Sequence, residues 1–380
     1  MKKILLATRP ITPPWDEASK NFAYFLAKSI DNPDIEMHLL TPRQKVEDLP
    51  SNVVQEPIYS QTDFSRAGYP FSQKMLLMKH LFANSRDYDI IHYLFTPTTL
   101  NSAIIQFGNR LQGNAFKTIQ TIATLREDLH GPESWKKLFF ADKLVVYSDY
   151  SKVRLEAAGF TNVERIYPGI DLDLYFPQPK DSDTIKHFDI TQDDFVVSYF
   201  GEYARLGATD MLVDMLVKYI NTDENKTMKF IFACRVKNDA DQKKKDEVVA
   251  RLTQAGIIDR VRFSDTFKDM PKLYNLTDVV LFPVGNMRGK FDIPLVIIEG
   301  YACGKPVIVS DLPIFTEFSS PDISVTVPKR DGDALWSAIE DLRNNEAKKK
   351  ALSINARAFV EQHFDLRNTA REYEKLYRSF

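Results

Sequence analysis

Short apolar runs alternate with longer amphipathic segments along the whole of this sequence. Three runs, KILLAT at residues 3–8, YDIIHYL at 88–94 and FVVSYF at 195–200, have the length and composition of strands buried in a parallel sheet. Residues 17–30 repeat their apolar positions with helical spacing, and residues 211–219 predict a second apolar helix. Strands that alternate with helices in this way predict an α/β protein with parallel sheets.

The densest pattern lies in residues 278–318, DVVLFPVGNMRGKFDIPLVIIEGYACGKPVIVSDLPIFTEF. Residues 278–282 and 307–310 predict buried strands, and residues 285–292 predict a loop. The apolar segment 295–303 predicts a helix with Pro294 in its first turn, where the missing N–H of proline costs nothing. Gly304 and Pro306 mark the end of this helix.

The loop and the helix of this stretch also have the composition of a ligand site. In an open α/β sheet, ligands bind beyond the carboxyl ends of the strands, where a loop that enters a helix presents backbone N–H groups to anions. Arg288 and Lys290 add positive charge, so phosphate is the ligand class that we expect. Glu299 is the one carboxylate of the helix, and the spacing leaves two interpretations open: it accepts hydroxyl groups, as from a ribose, or it lies on a solvated face.

Composition narrows the class of protein without giving a function. A length of 380 residues predicts about two domains, and a net charge of −2 gives no electrostatic reason to expect a nucleic-acid partner. No apolar run has the length that crosses a membrane, and Cys234 and Cys303 predict core thiols rather than a disulfide. No metal is expected, since no His/Cys cluster and no Asp-x-Asp loop follows a strand.

Residues 299–308, EGYACGKPVI, resemble the signature of the retaining GT-B glycosyltransferases of the family-4 type (glycosyl transferases group 1). In that family the second of two glutamates holds the ribose of the nucleotide, and Glu299 matches it. The first glutamate, which contacts the donor sugar, falls on Phe291, and the adjacent Asp292 is a candidate substitute. The resemblance therefore implies a donor-binding segment, which consists of Arg288, Lys290, Phe291, Asp292, Ile293, Pro294, Leu295 and Glu299.

The loop after the first predicted strand resembles the family in position but not in sequence. Relatives carry a Gly-Gly pair there, which approaches the donor phosphates and the acceptor. In this chain Trp15, Asp16, Glu17 and Ser19 occupy that region. They are candidates for an acceptor and phosphate loop, with the alternative that Asp16 or Ser19 only caps the following helix.

Two further loops carry the candidates for catalysis. Relatives use a Gly-Arg…Lys-Gly pair after the first strand of the second domain to hold the diphosphate, and here Arg205 is the one cation of that loop. The family's histidine after a first-domain strand falls on Ala123, so Asp128 and His130 in the following loop are the remaining candidates. His92, inside a predicted strand, is interpreted as a core histidine.

The segment PGIDLDLYFP at residues 168–177 resembles the family's passage between domains. The resemblance implies two doubly wound Rossmann-like lobes of GT-B type facing a cleft. We expect an N-terminal acceptor-side domain at residues 1–175 and a nucleotide-sugar domain at 176–364. Residues 365–380 are expected to form a C-terminal helix that crosses back to the N-terminal lobe.

The function implied by the resemblance is transfer of a sugar from a nucleotide-diphosphate sugar to a hydroxyl acceptor, with retention and without a metal or other cofactor. The acceptor is a glycan, a lipid-linked group or a small molecule, and the expected location is cytoplasmic, with contact to the inner face of a membrane left open. Two alternatives stay open: a non-catalytic GT-B partner or binding protein, and a nucleotide-sugar epimerase on the same scaffold.

Overall fold

The computed structural model describes residues 1–13, 18–60, 70–222, 225–265 and 267–380. The chain divides into two compact units. The first unit contains residues 1–169, 291–293 and 365–380, and the second contains residues 170–290 and 294–364. The sequence had suggested a division after residue 175, and it did not single out residues 291–293 as part of the first unit.

A parallel sheet of seven described strands forms the centre of the first unit, in the order β3-β2-β1-β4-β5-β6-β7. The strands are β1 (Lys2–Ala7), β2 (Ile35–Pro42), β3 (Val53–Tyr59), β4 (Ile90–Tyr93), β5 (Lys117–Ile122), β6 (Lys143–Val146) and β7 (Val163–Arg165). The helices of this unit are α1 (Ala18–Ser29), α2 (Phe71–Asn84), α3 (Thr99–Leu111), α4 (Pro132–Leu138), α5 (Asp149–Ala157) and the C-terminal α13 (Leu366–Arg378).

The second unit is built on a parallel sheet of six described strands, in the order β10-β9-β8-β11-β12-β13. The strands are β8 (Phe195–Gly201), β9 (Met228–Cys234), β10 (Val261–Phe263), β11 (Val279–Phe282), β12 (Val307–Ser310) and β13 (Val325–Val327). The helices are α6 (Ser182–His187), α7 (Thr209–Tyr219), α8 (Asp239–Gln254), α9 (Met270–Leu276), α10 (Leu295–Ala302), α11 (Gly332–Asn344) and α12 (Glu346–His363). The predicted α/β class with parallel sheets is confirmed in both units.

The C-terminal helix α13 belongs to the first unit and contacts His92 in β4. The Nδ1 atom of His92 lies 2.7 Å from the Tyr377 hydroxyl, and its Nε2 atom lies 2.7 Å from the Thr121 hydroxyl. The imidazole also stacks on the Tyr373 ring at a centroid distance of 5.4 Å. Burial lowers the pKa of His92 to about 3, so the ring is neutral, and the interpretation as a core histidine is confirmed.

Two regular elements of the structure have only a weak pattern in the sequence. Residues 53–59 form β3, an edge strand that carries Pro57 and is only partly buried, so its apolar pattern is weak. Helix α6 is short and begins at an N-cap where the Asp181 carboxylate accepts from the Thr184 N–H. Both elements lack the continuous apolar face on which pattern recognition depends.

Among the described residues, no helix combines the length and the apolar character needed to cross a bilayer. Cys234 and Cys303 are buried thiols that are not joined in a disulfide.

Candidate functional site

The sheet of the second unit changes direction of winding between β8 and β11, which are neighbours although two strands separate them in sequence. Such a switch point opens a crevice at the carboxyl ends of the strands. The loops that follow β8 and β11 meet there: the Gly285 N–H donates to the Leu206 carbonyl at 2.8 Å, and the Asn286 amide donates to the Arg205 carbonyl at 3.2 Å. Gly207 directly follows Leu206 and has a φ of 72°, a conformation that favours glycine.

Three cations converge at this switch point on one buried carboxylate, Glu202. Arg205 binds it with two hydrogen bonds of 2.7 Å, from Nε to Oε2 and from Nη2 to Oε1. The Nζ atoms of Lys237 and Lys290 lie 2.6 Å and 2.9 Å from the same Oε1 atom. The Glu202 side chain is only 5% exposed, whereas that of Arg205 is 42% exposed. We call these four residues the Glu202 cluster.

The electrostatics of the Glu202 cluster leave an excess of positive charge at the crevice. Burial opposes ionisation of Glu202, but the hydrogen bonds and charges of Arg205, Lys290 and Lys237 outweigh it and hold the pKa of Glu202 well below its usual range. Burial lowers the pKa of Lys290, and the Glu202 carboxylate counteracts this by favouring the ammonium form. With one anion and three cations, the cluster presents a net charge of about +2 to an incoming ligand.

The structure thus brings together two of the predicted cations, Arg205 and Lys290, which lie 85 positions apart in the sequence. Sequence reasoning missed Lys237 and Glu202. Lys237 follows β9, the other neighbour of β8, so its proximity depends on the strand order. Glu202 immediately follows β8, a position that could have identified it.

Glu299 lies on α10, where it is partly exposed and hydrogen-bonded to tyrosines. The Tyr274 hydroxyl donates to Glu299 Oε2 at 2.7 Å, and the Tyr175 hydroxyl also bonds this carboxylate. Tyr274 is itself held by stacking on Phe200, at a centroid distance of 4.2 Å. Burial raises the pKa of Glu299, although both tyrosine hydroxyls favour the ionised form. The carboxylate is therefore positioned by neighbours and does not lie on a freely solvated face.

The other residues of the predicted donor segment differ in how far they are exposed to solvent. Arg288 is exposed in the loop after β11, and Leu295 is partly exposed in the first turn of α10. Pro294 is the N-cap residue of α10, so it lies one position before the helical turn that the sequence predicted. Ile293 and Pro294 are buried, which makes their side chains unsuited to direct contact with a donor.

Asp292 does not fit the role of a substitute for the donor-binding glutamate. It belongs to the first unit, where it is buried and its Oδ2 atom accepts hydrogen bonds from the hydroxyls of Ser148, at 3.3 Å, and of Ser151. Its Oδ1 atom lies 3.4 Å from the Leu125 N–H. The carboxylate thus stabilises the N-terminus of α5, where a negative charge is favoured. The helix is capped by Ser148, whose side chain accepts from the Ser151 N–H.

Phe291, the residue at the position of the missing glutamate, also belongs to the first unit. Its ring packs edge-to-face on Tyr147 at a centroid distance of 5.4 Å. An aromatic ring there supplies no hydrogen-bond acceptor to a sugar hydroxyl. Neither the Phe291 ring nor the Asp292 carboxylate, which is engaged at α5, is therefore available to replace the first glutamate of the family pattern.

The two candidates after β5 are arranged around Arg126. The Arg126 guanidinium binds both carboxylate oxygens of Asp128, at 2.8 Å and 2.9 Å, and Arg126 adopts a left-handed backbone with φ of 43°. His130 is partly exposed, and its backbone N–H donates to the Arg126 carbonyl. Asp128 is consequently engaged as an ion-pair partner, which weakens its interpretation as a substitute for the family's histidine.

Ser19 lies in the first turn of α1, whereas Trp15, Asp16 and Glu17 lie outside the described residues. Ser19 lines a cavity of about 380 Å³ in the first unit. This cavity lies at the switch point of the first unit, between β1 and β4, and Ser19 connects it to the predicted acceptor and phosphate loop. Its lining residues are Arg9, Ser19, Lys74, Leu77, Met78, Leu94, Phe95, Thr96, Thr98, Asn101 and Ile105.

The family model that matches this chain covers residues that lie almost wholly in the second unit. Residues 194–345 match the family model described as Glycosyl transferases group 1. This segment contains the Glu202 cluster and Glu299. The D-inositol 3-phosphate glycosyltransferase of Mycolicibacterium smegmatis is 26% identical over 182 residues, which are 46% of this chain and 39% of that protein. The chain spans about two fifths of the length of the curated relatives that it matches.

Solved structures resemble the chain over its whole length. Anabaena Alr3699/HepE in complex with UDP-glucose is 18% identical with a TM-score of 0.76, and the likeness covers 100% of both chains. Sucrose-phosphate synthase from Thermosynechococcus elongatus is also 18% identical with a TM-score of 0.76, over 100% of this chain and 99% of that one. The predicted fold class, with two Rossmann-like lobes of GT-B type, is confirmed.

The described part of the chain offers no arrangement of three or more His, Cys, Asp or Glu side chains that would hold a metal ion.

Proposed function

We propose that this protein is a retaining glycosyltransferase that takes its sugar from a nucleotide-diphosphate sugar. The observation that carries the proposal is the convergence of Arg205, Lys237 and Lys290 on Glu202 at the switch point of the second unit. A diphosphate carries two or more negative charges, which match the excess charge of the cluster. The loop entering α7 adds the positive end of a helix to the same crevice.

In the proposed reaction the bond between the anomeric carbon and the diphosphate oxygen breaks, and the acceptor oxygen bonds to that carbon. The acceptor proton passes to an oxygen of the leaving diphosphate, so no separate base is required. Arg205, Lys237 and Lys290 stabilise the charge that develops on the leaving group, and preorganised charge of this kind usually supplies the largest part of a rate enhancement. Glu202 is a positioning residue, because it keeps three mutually repelling cations in one place.

Glu299 is the proposed ribose partner. A carboxylate offers about four lone-pair directions, and the tyrosine hydroxyls occupy two of them. The remaining directions suit the two hydroxyls of a ribose. The match of residues 299–308 to the family signature supports this assignment and the retaining mechanism, and the UDP-glucose bound to Alr3699/HepE supports a nucleotide-sugar donor.

The second candidate is a non-catalytic binding protein on the same scaffold. Phe291 offers no acceptor at the position of the first glutamate, and the Asp292 carboxylate is engaged at α5. Such a protein would retain the Glu202 cluster and Glu299 but lack the contact to the donor sugar.

The test is a thermal-shift screen with UDP, GDP, ADP and their sugar conjugates, followed by a turnover assay with the ligand that raises the midpoint. We expect one nucleotide to bind and its sugar conjugate to be hydrolysed or transferred, with an α-linked donor giving an α-linked product by NMR. Binding without turnover would favour the non-catalytic protein. An inverted product would contradict retention, and no binding would contradict the proposal as a whole.

A further inference from the structure

A cavity of about 270 Å³ lies in the first unit, between the end of α3 and the beginnings of β5 and β6. It is at the amino ends of these strands, whereas the switch-point crevice lies at the carboxyl ends of the same sheet. Strand β5 spans about 17 Å between the two edges, at about 3.3 Å per residue. The cavity is therefore separate from the sites described above. We call it the amino-edge cavity, and its polar lining includes Gln106, Asn109, Arg110, Asn114, Lys117 and Asp142.

Three of these polar side chains are charged, and they do not neutralise one another. In the part of the chain that the structure describes, neither Arg110 nor Lys117 forms an ion pair, although the carboxylate of Asp142 lines the same cavity. All three residues are exposed to solvent. Two cations and one anion thus border one small cavity with hydrogen-bonding groups that remain available to a ligand.

Neighbouring groups hold the carboxylate and one amide of this lining in place. The Thr118 backbone N–H and hydroxyl both donate to Asp142 Oδ2, at 2.8 Å. The Tyr93 hydroxyl lies 3.4 Å from Asn109 Oδ1, so the Asn109 amide nitrogen is the part of that side chain left as a donor. Asp142 Oδ1 forms no hydrogen bond within the described residues and is left as an acceptor. The cavity therefore offers a positioned donor and a positioned acceptor besides its two cations.

The cavity also has an aromatic wall. Phe140 is partly exposed, and its ring packs edge-to-face on Tyr93 at a centroid distance of 5.3 Å. Its backbone N–H donates to Gln120 Oε1 at 3.3 Å, which fixes the residue. The face of an aromatic ring carries partial negative charge and attracts the C–H groups of a sugar ring. The volume lies just below the range of about 300–1,000 Å³ for sites of drug-sized ligands, so it suits a monosaccharide better than a nucleotide.

We propose that the amino-edge cavity binds a phosphorylated monosaccharide. Arg110 and Lys117 bind the phosphate, for which a guanidinium and an ammonium are the usual partners. Asp142 and Asn109 bind ring hydroxyls, since a hydroxyl donates to a carboxylate and accepts from an amide. An apolar ligand is disfavoured, because it would cover these polar groups without pairing them. The proposal does not depend on the proposed enzymatic activity.

The first experiment is calorimetric titration of the full chain with glucose 6-phosphate, glucose and inorganic phosphate in separate runs. We expect glucose 6-phosphate to bind at least about tenfold more tightly than either other probe, because it alone engages both the cations and the hydroxyl-binding groups. The variant Arg110→Gln/Lys117→Gln should weaken its binding at least about tenfold. The matched control, Lys28→Gln/Lys79→Gln, removes two exposed lysines of the first unit that lie outside the cavity, and it should bind like the unmodified chain.

A second variant, Asp142→Asn, tests the sugar contact separately from the phosphate contact. Its amide oxygen can keep both hydrogen bonds from Thr118, so we expect the variant to fold like the unmodified chain. Its amide nitrogen replaces the acceptor that Asp142 Oδ1 offers, which should weaken the binding of glucose 6-phosphate about fivefold.

The variant Lys237→Gln distinguishes this cavity from the Glu202 cluster and should leave the affinity for glucose 6-phosphate unchanged. A loss of binding in Lys237→Gln would assign the sugar phosphate to the second unit and overturn the proposal. Three other results would also overturn it: no binding of glucose 6-phosphate by the unmodified chain, equal affinity for inorganic phosphate, or full binding by the folded Arg110→Gln/Lys117→Gln variant.

Discussion

The sheet of the first unit reverses its winding between β1 and β4, and that of the second unit between β8 and β11. The switch point of the first unit contains a cavity of about 380 Å³ whose wall combines apolar side chains, such as Leu77 and Ile105, with the cations Arg9 and Lys74. At the switch point of the second unit, three cations share the carboxylate of Glu202. The same topology thus supports a crevice of mixed lining in one unit and a crevice with clustered cations in the other, because loop and helix residues determine the chemistry of a site on a common fold.

The difference suggests separate roles for the two crevices. Under the proposed function we expect the cationic crevice to hold the diphosphate of the donor, and the cavity of the first unit to accept part of the acceptor. The following changes test how far each unit depends on its own charged or titratable groups.

Replacement of Glu202 should have the largest effect on stability. Glu202→Ala leaves Lys290 and Lys237 partly buried beside Arg205 without their common anion, and loss of one partner from a buried ion pair costs about 3 kcal/mol. We expect a loss of that size in the free energy of unfolding in urea. The control Glu361→Ala removes the partner of Arg357 in an exposed i,i+4 pair, which is worth about 0.5 kcal/mol or less. Equal losses in the two variants would contradict the central role of Glu202.

In the first unit, His92 should make the free energy of unfolding depend on pH. Because the pKa of His92 is lowered to about 3 in the folded chain, the unfolded chain binds the proton more tightly, and stability is lost as pH falls below about 6.5. The loss should approach about 1.4 kcal/mol per pH unit. The depressed pKa of Glu202 adds its own loss only below the usual glutamate range, whereas the raised pKa of Glu299 adds stability as pH falls and partly offsets the effect of the histidines above that range.

The check is urea unfolding of the unmodified chain and His92→Gln between pH 4.5 and pH 7, where the difference should reach about 2 kcal/mol. Burial also lowers the pKa of His80, which leaves a smaller slope of the same sign in the variant. An unchanged slope in His92→Gln would show that the buried imidazole does not control this dependence.

The smallest effect on stability is expected at Glu299. Since burial raises the pKa of Glu299, its ionised form costs the folded state stability at neutral pH, and this cost disappears as pH falls. Glu299→Gln should therefore unfold at an equal or higher urea concentration than the unmodified chain. Its affinity for the nucleoside diphosphate identified by thermal shift should fall about tenfold by calorimetry, the worth of a charge-assisted hydrogen bond. A stability loss with unchanged affinity would assign Glu299 a structural role instead.

Much of the fold was predictable because the strands of a parallel sheet are apolar on both faces and stand out in a sequence. The runs at residues 3–8 and 195–200 correspond to β1 and β8. The edge strand β3 escaped detection, since an edge strand is covered less completely and tolerates polar residues and proline.

The candidate site was only partly predictable, because its members come from loops that are distant in sequence. Arg205, Lys290 and Glu299 were recognisable from local patterns, while the contribution of Lys237 depends on the position of β9 beside β8. Asp292 illustrates the opposite case. Its sequence position next to Phe291 suggested a role in donor binding, but two serine hydroxyls of the first unit bind its carboxylate.

The central claim, that the Glu202 cluster binds a diphosphate, is tested most directly by calorimetric titration of the full chain with pyrophosphate, which requires no knowledge of the base. The account predicts binding that weakens about tenfold in Lys237→Gln, with the loss of one charge-assisted hydrogen bond. It also predicts unchanged affinity in Lys272→Gln, a matched lysine that pairs with Asp181 at 3.4 Å in the same unit. Equal affinities in the unmodified chain and Lys237→Gln, or no binding by the unmodified chain, would contradict the claim.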